Sequence, residues 1–258
     1  MFSRHKLVRS LRRAGANRNE AERIEREMEG SIKDGITTGE IYRRAFQMVK
    51  KENRPAAARY SLKQAMMELG PTGYPFEQII GRILEREGYK VSYPETVRGR
   101  CITHEVDVVA EKDGEKIMVE AKFHNQPGLR TDAKTAMYVR GRFEDLSFVK
   151  ENGFNKCWLV TNTKFSKDAL AYANCAGIQA LGWDYPKGRG IEVLITEAGL
   201  HPITAITSLS KMEKEELLLK NIVVCEDVIK RSGEVGEIIG GKIERVVEEA
   251  KQIIRMES

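Results

Sequence analysis

Asp107, Glu120 and Lys122 are the residues of this 258-residue chain with the plainest capacity for chemistry. They flank Asp113-Gly114, a dipeptide that favours a two-residue hairpin turn because both central positions of that turn need positive φ. With Lys112 paired to Glu115, counting outward sets Asp107 opposite Glu120 and Glu105 opposite Lys122. Side chains two apart on a strand share a face. These four charges therefore line one side, while Val106 with Ala121, Val108 with Val119 and Ala110 with Ile117 line the other. Two carboxylates held face to face repel by roughly the 0.2 to 1 kcal/mol of a favourable cross-strand pair, and by more where water is excluded. A hard divalent cation removes that conflict, and such oxygen donors suit Mg²⁺ or Mn²⁺. Lys122 beside the pair supplies a positive charge to hold a phosphate or orient a water. A solvated strand face with a Glu105 to Lys122 ion pair is the alternative that these residues alone leave open.

The elements that must position this hairpin follow from periodicity. Phe76, Ile79, Ile80, Ile83 and Leu84 define an amphipathic helix between the break at Gly73-Tyr74-Pro75 and Gly88. Strands are predicted over 89–93, 103–111 and 116–123, then a polar loop over 124–132 and a helix through Tyr138 and Phe143. A strand at 157–161, a helix at 166–175 and a strand at 178–182 complete a β-α-β alternation, which implies a mixed or parallel sheet with helical cover. The first 70 residues read as a helical bundle. Leu7 and Leu11 lie on a first helix, Ala21, Ile24 and Met28 on a second, Ile41, Ala45, Met48 and Val49 on a third after a Thr37/Glu40 capping pattern, and Leu62, Ala65, Met66 and Leu69 on a fourth. After Thr196 the pattern is helical again and ends in the amphipathic run Ile243, Val246, Val247, Ala250, Ile253 and Ile254.

In this order the pieces carry a resemblance. Phe76-Glu77 opens a helix, Gly88-Tyr89 precedes a strand, and His104-Glu105-Val106-Asp107-Val108-Val109 and Val119-Glu120-Ala121-Lys122-Phe123 follow. The stretch from Tyr74 to Trp183 resembles the PD-(D/E)xK nuclease superfamily, most closely its Mrr-like restriction endonuclease branch. The resemblance implies that Asp107 and Glu120 bind a metal together with the carbonyl of Ala121, that Lys122 is catalytic, and that Glu77 completes the acidic cluster or orients a water. His104 and Glu105 match the motif in type, either supporting the ligands or as plain strand surface. The implied chemistry explains the residue types: hydrolysing a phosphodiester needs charge neutralised on the phosphate, a more acidic water and support for the leaving oxygen, all of which metal ions supply. A lysine adds fixed positive charge that acts most strongly in the transition state. The chain contains no Walker A loop, nucleophile elbow or zincin helix motif.

Residues Phe2 to Met67 resemble an ATP-cone, on Lys6-Leu7, Asp34-Gly35-Ile36-Thr37-Thr38 with Ile41, and Ala57-Ala58-Arg59. That likeness makes Lys6 and Thr38 the nucleotide-contacting residues, although the basic pair and glycine turn of the usual cone are not in the sequence and Tyr42 stands where a histidine is frequent. A helical packing domain is the alternative. From Leu200 onward the chain weakly resembles helix-hairpin-helix DNA-binding modules, with Ile239-Gly240-Gly241-Lys242 as the hairpin; a helical cap or dimerisation element fits the same pattern. Around the loop and helix after the Lys122 strand, Gln126, Arg130, Lys134, Tyr138, Arg140 and Arg142 are candidates for phosphate contact, interleaved with Asp132, Glu144 and Asp145. Arg130, Lys134 and Lys242 are the nucleic-acid contacts expected from this pattern.

Composition narrows the class without naming it. The balance of 43 basic and 38 acidic residues leaves +5, which is compatible with DNA and equally with an ordinary solvated surface. Cys101, Cys157, Cys175 and Cys225 form no Cys-x-x-Cys pair, so neither a zinc site nor a disulfide framework is expected and a reducing cytoplasm fits. No apolar run approaches the roughly 20 residues that span a bilayer. The expectation is an α/β core with a central mixed sheet of restriction-endonuclease-like fold flanked by helices over 74–196, between small all-helical domains over 1–73 and 197–258. Its expected function is that of a cytoplasmic Mg²⁺- or Mn²⁺-dependent DNA endonuclease in restriction or repair. Its expected partners are double-stranded DNA, ATP or a related nucleotide effector, and a second copy of the chain. The alternatives are a nucleotide-responsive DNA-binding protein whose nuclease fold does not cut, and a structural component of a larger complex.

Overall fold

In a computed structural model of the chain, residues 4–13, 16–31, 38–52, 57, 60–126 and 128–254 are described. The chain divides into two compact units, one of Met1–Ala65, His201–Leu217 and Val224–Ser258, the other of Met66–Leu200 and Leu218–Val223. Segments from the N-terminal and C-terminal parts of the chain both contribute to the first unit.

The N-terminal part of the first unit holds helices α1 (Arg4–Arg13), α2 (Arg18–Ser31) and α3 (Thr38–Glu52); α4 (Leu62–Met67) follows in the chain, across the boundary at Ala65. Leu7, Leu11, Ala21, Ile24, Met28, Ile41, Ala45 and Val49, the positions that periodicity selects, form one buried cluster. Each recurs at three- or four-residue spacing and so falls on a single helix face.

The second unit contains helix α5 (Tyr74–Arg86) and strands β1 (Lys90–Ser92), β2 (Glu95–Arg98), β3 (Thr103–Val106), β4 (Val108–Lys112) and β5 (Glu115–Lys122). Then come β6 (Arg130–Thr131), α6 (Ala133–Ser147), β7 (Lys156–Thr161), β8 (Lys164–Phe165), α7 (Lys167–Cys175), β9 (Ile178–Leu181) and α8 (Ile191–Ala198). A five-stranded sheet runs β1-β4-β5-β7-β9. Its first two pairings are antiparallel and its last two parallel, so the sheet is mixed. Asp113 and Gly114 both have positive φ, as the tight turn between β4 and β5 requires. The parallel pairs are joined through α6 and α7, capped by Asp132 and Ser166, whose side chains accept the backbone N–H of Thr135 and Ala169. Ala136, Val139 and Leu146 of α6 and Ala169 and Ala173 of α7 bury the sheet face that carries Val109, Met118 and Leu159. Helix α5 packs on β1, β4 and β5 with Phe76, Ile79, Ile80, Ile83 and Leu84 buried.

The hairpin register holds from Lys112↔Glu115 to Val108↔Val119 and stops there. The strand expected over 103–111 breaks at Asp107. Beyond the break, β3 leaves β5 to pair with β2 in a separate two-stranded sheet, Glu105 facing Thr96 and Val106 facing Glu95. Asp107 is thus not ladder-paired with Glu120, nor Glu105 with Lys122. The cause is local. The Asp107 carboxylate accepts the Ala121 backbone N–H at 2.7 Å, satisfying a donor that a continuing strand would have needed to meet with a carbonyl. The side-chain alternation slips at the same point: Val106 and Val109, three apart, lie in one buried cluster, so Val106 does not share the face of Val108 and Ala110.

Further along the chain come α9 (Lys211–Leu219), then α10 (Cys225–Lys230), α11 (Ser232–Ile239) and α12 (Ile243–Ile254), the last three wholly within the first unit. A turn over Gly240–Lys242, with Gly240 at φ +63°, joins the last two helices. Val246, Ala250 and Ile253 of α12 are buried beside Glu249, whose carboxylate accepts the backbone N–H groups of Thr207 and Ser208 and the Thr207 hydroxyl.

Candidate active site

The break at Asp107 is what builds the site. It frees a carboxylate from the ladder between two strands and points it at β5, where Glu120 and Lys122 follow at alternate positions. Glu77 arrives from the first turn of α5, where a carboxylate is favoured by the positive end of the helix. A Cβ on Gly73 would lie 3.2 Å from Glu77 Oε1 and 3.7 Å from Phe123 Cβ, so this carboxylate is folded back over the helix start toward the end of β5. Phe76 and Phe123, with ring centroids 5.9 Å apart, fix α5 against that strand end. The structure brings Glu77, Asp107, Glu120 and Lys122 into one electrostatic neighbourhood.

Arg142, which sequence places among candidate phosphate contacts, has a different position. It is buried on α6, donates to Glu120 Oε2 and to the Glu105 carbonyl, and forms the ion pair of the site. Nothing in the sequence links positions 120 and 142; their meeting depends on the crossover that lays α6 over β5. The pair does not silence the cluster. Burial, then the charges of Asp107, Glu105 and Glu120, push the Glu77 carboxyl up to about 7. Burial and Asp107 raise Glu120 to about 7 as well, against the opposing pull of Arg142 and Lys122. Asp107 is raised too, chiefly by burial, with the Ala121 N–H and Arg142 pulling the other way. Three carboxylates with elevated proton affinity are short of positive charge.

That deficit fits a hard divalent cation. Among the described residues no three His, Cys, Asp or Glu side chains close into a ready-made cage. Magnesium seldom requires one: one or two carboxylates, a carbonyl, a phosphate oxygen and waters suffice. Asp107, Glu120 and the Ala121 carbonyl supply that set of donor types.

The remaining candidates fall elsewhere. His104 is buried and its Nε2 lies 2.8 Å from Asp145, which also accepts the N–H groups of Cys101 and Ile102; the pair ties the β2–β3 turn to α6. Arg130 and Lys134 are exposed, on β6 and α6. Arg140 is held by Glu144 and the Ala176 carbonyl. Lys242 donates to Glu213 at 2.8 Å in the first unit, which commits its ammonium to a carboxylate. The side chains of Lys6 and Thr38 lie outside the described residues, as does the stretch 32–37.

A mixed sheet with this order, helical cover and acidic centre defines a restriction-endonuclease-like domain. Comparison agrees. Residues 70–184 match the family described as restriction endonuclease (Mrr_cat), and residues 201–254 match the family described as AF1548-like, C-terminal. An uncharacterised protein of Archaeoglobus fulgidus is 44% identical over 178 residues, 68% of this chain and 99% of that protein. The crystal structure of AF1548, a protein of unknown function, shares 42% identity with a TM-score of 0.61, covering 71% of this chain and 98% of its own. The chain belongs to this AF1548-like family. The MspJI restriction endonuclease, in complex with a 27-mer oligonucleotide, is far more distant, at 12% identity and a TM-score of 0.39 over 84% of this chain and 43% of that one.

Proposed function

We propose that the domain over 70–184 is a divalent-cation-dependent endonuclease that hydrolyses phosphodiester bonds in DNA. The observation that carries the reading is the cluster of Glu77, Asp107 and Glu120, each raised in proton affinity chiefly by burial and, for Glu77 and Glu120, by neighbouring carboxylates as well, with Lys122 two positions after Glu120 on the same strand. Asp107, Glu120 and the Ala121 carbonyl would hold Mg²⁺ or Mn²⁺. Such an ion, when bound, supplies charge neutralisation on the phosphate and a more acidic attacking water. Lys122 places its ammonium against a phosphate oxygen. Glu77, with a carboxyl near neutrality, accepts the proton of the attacking water at one of its oxygens. Arg142 holds the Glu120 carboxylate in place and ties it to the strand before the break.

The test is nicking of supercoiled plasmid with Mg²⁺ and with Mn²⁺. The wild type should nick, Asp107→Ala and Lys122→Ala should lose at least about a hundredfold in rate, and equal activity in all three would sink the assignment. Metal-independent DNA binding by a chain that never cuts would instead support the non-cleaving reading.

A further inference from the structure

Helix α6 leaves a stripe of exposed positions in water beside the candidate active site. Tyr138 is 63% exposed and Met137 52%, although α6 is a helix that buries Ala136, Val139 and Leu146 on its other side. Lys134 lies one turn before Tyr138 and Gly141 about one turn after it; both are exposed, and a Cβ at Gly141 would find no atom within 4 Å. The stripe thus offers a cation, a ring, and then a position with no side chain. Its link to the chemistry is Arg142, whose guanidinium lies 5.6 Å from the Tyr138 ring centroid while its donors hold Glu120 and the Glu105 carbonyl.

An exposed tyrosine ring next to a phosphodiester-cleaving centre meets one component of DNA by shape and chemistry: the face of a base. In a paired duplex those faces are covered by their neighbours, and only the grooves and phosphates reach the protein. We propose that Tyr138 is a stacking platform for an unpaired base adjacent to the scissile phosphate, with Lys134 on a neighbouring phosphate and Gly141 leaving room for the sugar. The substrate of the site is then DNA with a locally single-stranded nucleotide, as at a fork, flap or extruded base. This rests on the reading of the site as one that handles DNA. Tyr138 is given a binding role, reached from the acidic residues through Arg142.

The full chain, with Ca²⁺ in place of Mg²⁺, should be titrated by fluorescence anisotropy against a splayed fork and a fully paired duplex of equal length. A 2-aminopurine at the first unpaired position reports stacking. Wild type should prefer the fork. Tyr138→Ala should weaken fork binding by about tenfold or more, leave the duplex within about twofold and abolish the 2-aminopurine quench, while Tyr138→Phe retains all three. Equal weakening on both DNAs, or no change on either, would overturn the platform. So would a wild-type dimer that Tyr138→Ala dissociates in light scattering, because the stripe would then be covered by protein. Parallel Mg²⁺ cleavage assays separate the two readings: the fork-specific binding pattern without any cleavage supports the platform and removes the hydrolase.

Discussion

At the residue scale the site is a collection of charges whose balance changes with pH. Glu77 and Glu120 have native carboxyls near 7, against an ordinary value of 4.5. A carboxyl raised in the native state binds more protons there than in the unfolded chain, so stability falls as pH rises through that window. Thermal melts of the metal-free protein should therefore show the melting temperature decreasing from about pH 5 to about pH 7.5, and added Mg²⁺ or Mn²⁺ should flatten the decrease. A melting temperature that rises over that interval without metal would contradict the charge deficit. Arg142 belongs to the same balance. Removing one partner of a buried ion pair strands the other charge, which typically costs about 3 to 5 kcal/mol. Arg142→Met should thus be strongly destabilising at pH 8 in chemical denaturation, and less so at pH 5.5, where Glu120 is protonated. An unchanged midpoint at both pH values would mean that the pair does not form.

At the element scale two glycines separate close packing from open surface. A Cβ on Gly81 in α5 would come within 2.2 Å of the Tyr93 ring, so this glycine lets the helix lie against the segment after β1. Gly81→Ala should lower stability by roughly 1 to 3 kcal/mol, the cost of forcing an added methyl into a packed contact. Gly141, on the exposed side of α6, meets nothing, and Gly141→Ala should raise stability by about 0.5 to 1 kcal/mol through helix propensity alone. Urea midpoints measured together decide the point, since the two substitutions are chemically identical and differ only in surroundings. The segment 99–102 behaves like Gly81: Asp145 fills the space over Gly99 and bonds the turn.

At the scale of the whole molecule, the two chain ends share a unit while the nuclease fold occupies the middle. The A. fulgidus relative accounts for 68% of this chain, so about a third of it lies outside that match. If the N-terminal helices sense a nucleotide, ATP should shift the melting transition of the full chain, and Lys6→Ala or Thr38→Ala should remove the shift. No shift with ATP or dATP would leave these helices as packing elements. Among the described residues no helix is long and apolar enough to cross a membrane.

The sequence by itself determined what depends on short-range pattern. Helical spacing selected the buried faces of α1, α2, α3 and α5, and the Asp113-Gly114 turn set the register of β4 on β5. These features follow from backbone geometry within a few residues. The acidic residues were legible as types in an order. Their arrangement was not, because alternation carried through position 107 predicts a facing pair, whereas the fold bonds the Asp107 side chain to the Ala121 amide and turns β3 away. The Arg142 to Glu120 pair, the His104 to Asp145 pair and the capture of Lys242 by Glu213 each join residues more than 20 positions apart. Such contacts are decided by which helix a crossover lays over which strand, or by which helices pack together. Only tertiary structure carries that information.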